Sequence, residues 1–129
     1  MKDARLLRAR GSAAVEFALV LPLILTLALA LLQVGLLVKD QMVVQEASRA
    51  GARQASVSRD DASVDNAVSE AAAGLDPAAI TTSVRRSPGE GTPVTVRVAY
   101  EAPITLPIVG WLFPNVVRLS AEVTMRQET

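Results

Sequence analysis

The chain has 129 residues with 13 basic and 13 acidic side chains; half of its residues are hydrophobic, but only 3% are aromatic. This length allows one small domain, and the balanced charge with few aromatic rings argues against nucleic-acid binding. Because the sequence contains neither histidine nor cysteine, it lacks the commonest catalytic bases, nucleophiles and metal ligands, and it cannot form a disulfide. We therefore expect no enzyme activity, no cofactor and no small-molecule substrate.

The N-terminal region combines a short basic segment with a long uncharged run. Residues 1–11 form a leader with four basic side chains and one acidic side chain, a net charge of +3. Residues 17–38 are 22 consecutive residues without a charge, and a helix of this length, about 33 Å, crosses a hydrocarbon core of about 30 Å. We therefore predict a transmembrane helix over 17–38, in which Pro22 kinks the helix or frees a backbone carbonyl.

The flanking charges predict the orientation of this helix. The basic leader lies on one side, whereas Lys39 and Asp40 cancel each other on the other side. The positive-inside rule then places the N-terminus in the cytoplasm and the C-terminal part outside it. A cleaved secretory signal is the alternative, because Ala28-Leu29-Ala30 has the small-x-small form of a signal peptidase site. Eight uncharged residues follow that tripeptide, so a retained membrane anchor is favoured.

The residues after the span continue the helical pattern. The segment 39–57 contains no proline, and the simplest interpretation is one continuous helix over residues 12–57. Ala47, Gly51 and Ala55 recur every four residues on one face of this helix, where small side chains let another backbone approach closely. The alternative is that alanine is simply frequent in this chain.

A second, short helix is predicted over residues 61–75. Asp60 or Asp61 can cap its N-terminus, and Gly74 is suited to end it. Asp60, Asp61 and Asp65 could suggest a metal site, but capping and the helix dipole already explain acidic residues at this position. We therefore expect no metal there.

The rest of the chain alternates with a period of two, which is typical of strands with one buried face. Ile80, Thr82 and Val84 begin this pattern, and a turn-rich segment, 87–93, separates it from the next strand. The inward residues of the two later strands are predicted to be Val94, Val96, Val98 and Tyr100, and then Val117, Leu119, Ala121, Val123 and Met125. Arg85 and Arg86 are expected to form a solvated strand end.

An apolar loop, residues 102–115, joins the last two strands. It contains Pro103, Pro107 and Pro114, which are incompatible with a regular strand, and it is too short to span a bilayer. Trp111, Leu112 and Phe113 form a candidate interface patch for a partner or for the lipid surface. The alternative is a loop folded back over the sheet edge.

These elements predict a membrane-anchored α+β protein. The long helix continues into an extracytoplasmic domain over 58–129, with the short second helix and a three-stranded antiparallel sheet. Because the apolar face of the sheet needs a cover, we expect the outer half of the long helix to pack on it.

One constellation near the N-terminus resembles a known processing signature. Gly11 follows the basic leader, four residues separate it from Glu16-Phe17, and the uncharged helix comes next, as in type IV prepilins and their pseudopilin relatives. More specifically, the chain resembles TadE-like minor pseudopilins of the tight-adherence (Tad/Flp) pilus system. The matching stretches are AAVEFALVLPLIL (13–25), QEASRAGARQAS (45–56) and LSAEVTMR (119–126).

This resemblance implies a structural or priming subunit in the assembly of a Tad/Flp-type pilus, held in the inner membrane. A prepilin peptidase would cut between Gly11 and Ser12, and a glycine without Cβ suits a chain extended into a narrow cleft. Glu16, followed by Phe17, would then pair with the new N-terminal amine of a neighbouring subunit and fix the register. The implied partners are the peptidase, other pilins and pseudopilins, the pilus assembly platform and the lipid bilayer.

Two alternatives remain open from the sequence. Glu16 could simply face the lipid headgroups, without a role in register. The whole protein could also be an uncleaved single-pass anchor whose outer domain binds another protein. Whether the pilus serves adhesion, DNA uptake or secretion does not follow from the sequence.

Overall fold

The computed structural model describes residues 2–89, 91–106, 110–112 and 114–128, with side chains from residue 11 onward. Helix α1 (Lys2–Val57) is followed by helix α2 (Asp61–Ala71), a short 3-10 turn (Pro77–Ala79) and three strands. The strands are β1 (Ile80–Arg86), β2 (Pro93–Pro103) and β3 (Val116–Arg126). The predicted α+β class, with one long helix, one short helix and a three-stranded antiparallel sheet, is confirmed.

Helix α1 has 56 residues and begins at Lys2, so the leader is helical as well. The helix was predicted to begin near Ser12, ten residues later than it does. The only helix-weakening residue between the leader and the span is Gly11, and a single glycine costs a helix only about 1 kcal/mol. The most apolar 18-residue window of this helix has a mean hydropathy of 2.5 and is not buried by the rest of the chain. This exposed apolar helix indicates a single-pass membrane protein with a C-terminal domain.

Helix α2 begins where it was predicted but ends earlier, at Ala71 instead of residue 75. The carboxylate of Asp60 accepts a hydrogen bond from the N–H of Ala62 at 3.2 Å, which is the N-cap expected from the sequence. Beyond Ala72 the chain turns, and Gly74 adopts φ = +101°, a conformation that favours glycine. Gly74 therefore belongs to the turn after the helix.

The sheet has the order β1-β2-β3, with both neighbouring pairs antiparallel. Val96 of β2 lies opposite Val84 of β1 and Val123 of β3, so apolar residues meet across all three strands on one face. The predicted inward residues of β2 are all buried. Those of β3 are all half-buried and alternate with exposed residues, as predicted.

The core lies between this sheet face, α2 and the half of α1 distal to the span. Val44 and Ala52 of α1, Val64 and Val68 of α2, and Val98 of β2 are at most 1% exposed.

Two hydrogen bonds fix the position of β3 along α1. Gln41 Nε2 donates to the carbonyl of Ser120 at 3.1 Å, and the N–H of Glu128, just beyond the strand, donates to the carbonyl of Ser56 at 2.9 Å. Strand β3 therefore runs parallel to α1.

Candidate functional site

The proposed processing bond, Gly11–Ser12, lies inside helix α1 and on its open surface. Residues 11–25 are all exposed, and a Cβ added at Gly11 would meet nothing else in the described chain within 4 Å. The bond is therefore accessible, but it is held in helical conformation. A peptidase that needs an extended substrate would have to open the local helix first.

Glu16 lies one helical turn from Ser12 on the same face. The Ser12 hydroxyl donates to Glu16 Oε1 at 3.2 Å, so the carboxylate stands beside the residue whose nitrogen would become the new amine. Both residues are exposed, and the adjacent Phe17 is 63% exposed. A neighbouring subunit could therefore reach the carboxylate and the phenyl ring without displacing any part of this chain.

Pro22 interrupts the hydrogen-bond ladder of the span. Proline has no N–H, so the carbonyl of Ala18, four residues earlier, loses its usual helical donor. One turn later, the Thr26 hydroxyl donates to the Pro22 carbonyl at 2.8 Å. The freed carbonyl lies six residues beyond Ser12, within the exposed part of α1.

The row of small residues on α1 packs within the chain. Ala47 and Ala55 are fully buried, and a Cβ added at Gly51 would lie 2.7 Å from Cγ2 of Val68 and 3.0 Å from Cγ1 of Val96. The close approach is thus made by α2 and β2 of the same molecule. This row belongs to the core, and its surface is not open to a second subunit.

The candidate interface patch lies at the opposite end of β3 from the chain terminus. Trp111 is 78% exposed and Leu112 is 49% exposed, whereas Phe113 lies outside the described residues. Both described side chains of the patch are therefore accessible.

The surroundings of three polar side chains did not follow from the sequence. Arg86 is half-buried, and its guanidinium contacts the carboxylate of Asp61 and, at 3.4 Å, the carbonyl of Ser58. The prediction of a solvated strand end was therefore wrong for Arg86. Gln41 bonds to β3 as described above, and Gln33 is 2% exposed with its Oε1 buried and unpaired. The one sequence signal for Gln33 was its position as an isolated amide side chain within the uncharged run 17–38.

The described residues offer little that could perform chemistry. Among them, no group of three or more acidic side chains is placed to hold a metal ion. A depression of about 450 Å³ lies between the end of α2 and the start of β1. Asp65 is the one charged side chain among its lining residues, which also include Ser69, Gly74 and Thr82. Ser69 lies one helical turn from Asp65, but the chain has no histidine, the base that most often activates a serine hydroxyl.

These features define a class of protein: one long apolar helix whose distal half is built into a small α+β domain, with a Ser12–Glu16 contact near the N-terminal end of the apolar run. Residues 11–53 match the family model of TadE-like proteins. The resemblance seen in the sequence is thereby confirmed over this segment, which runs from the proposed processing bond to the buried row on α1. TadE-like proteins are associated with the Tad pilus, so the match indicates a pilus-associated protein.

The match leaves α2 and the sheet outside its limits. Comparison with curated proteins gives no significant match. Comparison with solved structures gives none either.

Proposed function

We propose that this protein is a minor pseudopilin, a structural or priming subunit of a Tad/Flp-type pilus that a prepilin peptidase trims after Gly11. The observation that carries this proposal is the family match over residues 11–53. It includes the glycine, the acidic residue and the apolar helix in the order that such processing requires. The contact between the Ser12 hydroxyl and Glu16 supports it, because the carboxylate lies against the residue that cleavage would make N-terminal.

Glu16 is proposed to set the register between subunits. Near the end of a membrane span, an unpaired carboxylate is unfavourable, and a pair with an amine relieves that cost. Because residues 11–25 of the isolated chain are exposed, neighbouring helices can pack around this pair. A subunit displaced along the bundle axis would leave both charges without a partner.

The remaining features of the proposal concern location and partners. The protein lies in the inner membrane with its N-terminus in the cytoplasm, where the peptidase would act. Other pilins, pseudopilins and the assembly platform would contact the exposed part of α1. The C-terminal domain would then lie on the outer side.

Intact-mass measurement of the chain extracted from membranes of a host with a prepilin peptidase tests the processing step. Loss of residues 1–11 is the expected result. Gly11→Leu should block the loss while leaving membrane insertion unchanged, and Gly35→Leu, a change at an exposed glycine of the same helix, should be trimmed normally. A full-length wild-type chain in such a host would refute the proposal.

The register role has its own test. Glu16→Gln should be trimmed normally but fail to support pilus assembly, whereas Glu16→Asp should retain part of it, because only the charge is kept. Glu46→Gln is the matched control, since Glu46 is an exposed acid of the same helix with a 68% exposed side chain. Normal piliation with Glu16→Gln would show that the carboxylate does not set the register.

An uncleaved single-pass anchor with a protein-binding outer domain is the second candidate. The observation that favours it is the unbroken helix from Lys2 through the Gly11–Ser12 bond. A full-length mass would support this alternative.

A further inference from the structure

Helix α1 and the β2–β3 connection each contain a long uncharged segment, and the two segments end at matching positions along the helix axis. On α1, Lys39 and Asp40 are the first charged residues after the uncharged run 17–38. On the sheet, Arg118 and Glu101 form an ion pair at 3.0 Å, and residues 102–117 between them carry no charge. Each element therefore has an uncharged segment that begins at a charged pair.

The contacts of β3 place these two pairs at one level along the helix axis. Gln41 bonds to Ser120, and β3 runs parallel to α1. Arg118 lies two residues before Ser120, about 7 Å along the strand, which equals four to five residues of helix at about 1.5 Å per residue. The Arg118–Glu101 pair is thus level with about residue 37, next to Lys39 and Asp40.

The sheet itself ends close to the level of Gln33. Val116 pairs with Pro103 at the end of the ladder, and it lies four residues before Ser120, about 13 Å along the strand. This estimate agrees with the burial of Gln33, which is 2% exposed, while Leu31 and Leu32 beside it are 65% and 54% exposed. The domain therefore extends along α1 past the C-terminal end of the uncharged run 17–38 and covers one face of the helix as far as Gln33.

The apolar loop continues beyond this end of the sheet. The N–H of Ile104 donates to the carbonyl of Asn115 at 3.2 Å and closes the base of the loop. Trp111 and Leu112 then lie beyond the ladder with exposed side chains. These exposed apolar side chains thus follow the end of the sheet that lies nearest the uncharged run of α1.

We propose that the described part of this loop, 104–106, 110–112 and 114–115, inserts into the lipid interface beside α1. The ligand is the bilayer surface, with Trp111 among the headgroups and the upper acyl chains, where tryptophan is favoured. Continuity with the span identifies lipid as the occupant, because a soluble partner would have to enter the membrane to cover the same patch. Pro103 and Pro114 also lack two N–H groups that would need a partner there.

This arrangement attaches the domain to the bilayer at two points and fixes its orientation. It also moves the membrane boundary toward Gln33, so that the hydrocarbon segment covers about residues 14–33 instead of 17–38. The inference depends on the helix crossing the membrane, and it holds whether or not the chain is trimmed or built into a pilus.

Trp111 is the only tryptophan of the chain, so its fluorescence reports on the loop directly. The full chain is reconstituted at low density in vesicles of phosphatidylcholine and phosphatidylglycerol. We expect a blue-shifted emission that is lost when the lipids are brominated on the upper acyl chain and that resists aqueous acrylamide. The matched control is the double variant Trp111→Phe with Ser87→Trp, which places the indole in the exposed turn at the far end of the sheet and should behave oppositely.

The absence of cysteine permits a second measurement. Leu112→Cys should react with a membrane-impermeant maleimide many-fold more slowly in vesicles than after detergent solubilisation, whereas Ser87→Cys should react equally in both. Resistance to alkaline carbonate extraction checks the span separately. An inserted chain with a water-exposed Trp111 would overturn the inference and leave the span intact. A blue shift that bromolipids do not quench, and that disappears on dilution with lipid, would show a second copy covering the loop and would also overturn it.

Discussion

Gly51 of α1 lies directly against Val68 of α2, because a Cβ added to the glycine would approach Cγ2 of Val68 to 2.7 Å. The same added Cβ would lie 3.0 Å from Cγ1 of Val96 in β2. At this one position, the helix, the second helix and the sheet meet without room for a methyl group.

Gly51→Ala should therefore destabilise the domain. Overpacking of this kind costs about 1–3 kcal/mol, and the better helix propensity of alanine offsets at most about 1 kcal/mol. Thermal unfolding of the detergent-solubilised full chain, followed by near-ultraviolet circular dichroism, measures the difference. Gly35→Ala is the control, because a Cβ there meets nothing within 4 Å in the described chain, and it should not lower the midpoint. Equal midpoints for both variants would contradict this account of the contact.

The two glutamines on the domain-facing side of α1 should respond in opposite ways to the same substitution. Gln41→Leu removes the hydrogen bond to Ser120 and should cost about 1 kcal/mol. Gln33→Leu removes a buried and unpaired Oε1, so it should leave the stability unchanged or raise it. The same unfolding measurement compares them. A larger loss for Gln33→Leu than for Gln41→Leu would show that Gln33 has a polar partner in the membrane.

Arg86 ties the end of β1 to the connection between the two helices. Arg86→Gln should lower the free energy of unfolding by about 1 kcal/mol, a modest value because the partner Asp61 has a 65% exposed side chain. Arg85→Gln is the matched control, since Arg85 lies on the exposed face of the same strand. Denaturant unfolding in micelles should therefore separate the two variants, and indistinguishable curves would mean that the Arg86 contacts contribute nothing net.

Asp60 should stabilise α2 through its capping bond to Ala62. Asp60→Ala removes that bond and should cost about 1 kcal/mol. Asp65→Ala, at an exposed position inside the same helix, removes an equal charge without removing a cap. Hydrogen exchange of the first amides of α2 provides the measurement, and faster exchange is expected only for Asp60→Ala. Faster exchange in both variants would show that the negative charge of these aspartates, and not the capping hydrogen bond, stabilises the start of α2.

Several parts of this protein could be predicted because their causes are local. The uncharged run 17–38 predicts a helix long enough for a bilayer, and the alternation in 94–100 predicts which strand face is buried. The capping aspartate and the turn at Gly74 follow from backbone chemistry within a few residues. The start of α1 was not predictable in this way, because the helix was expected to begin at Ser12 and to leave Gly11 outside it, whereas it includes Gly11.

Other parts required the tertiary structure because they depend on residues far apart in the chain. The residues around Gly51 in the sequence do not reveal whether its small surface packs against another subunit or, as observed, against Val68 of the same chain. The half-burial of Arg86 depends on a carboxylate 25 residues earlier.

The sequence alone thus predicts an apolar helix long enough to span a membrane, the strand faces and the candidate processing site, since periodicity and charge act over one or two turns. The tertiary structure decides that β3 lies parallel to α1, with Ser120 level with Gln41. It thereby decides that the sheet ends, at Val116 and Pro103, near the level of Gln33. The physical reason is that the packing of a sheet against a helix fixes this offset, and packing is a property of the assembled core.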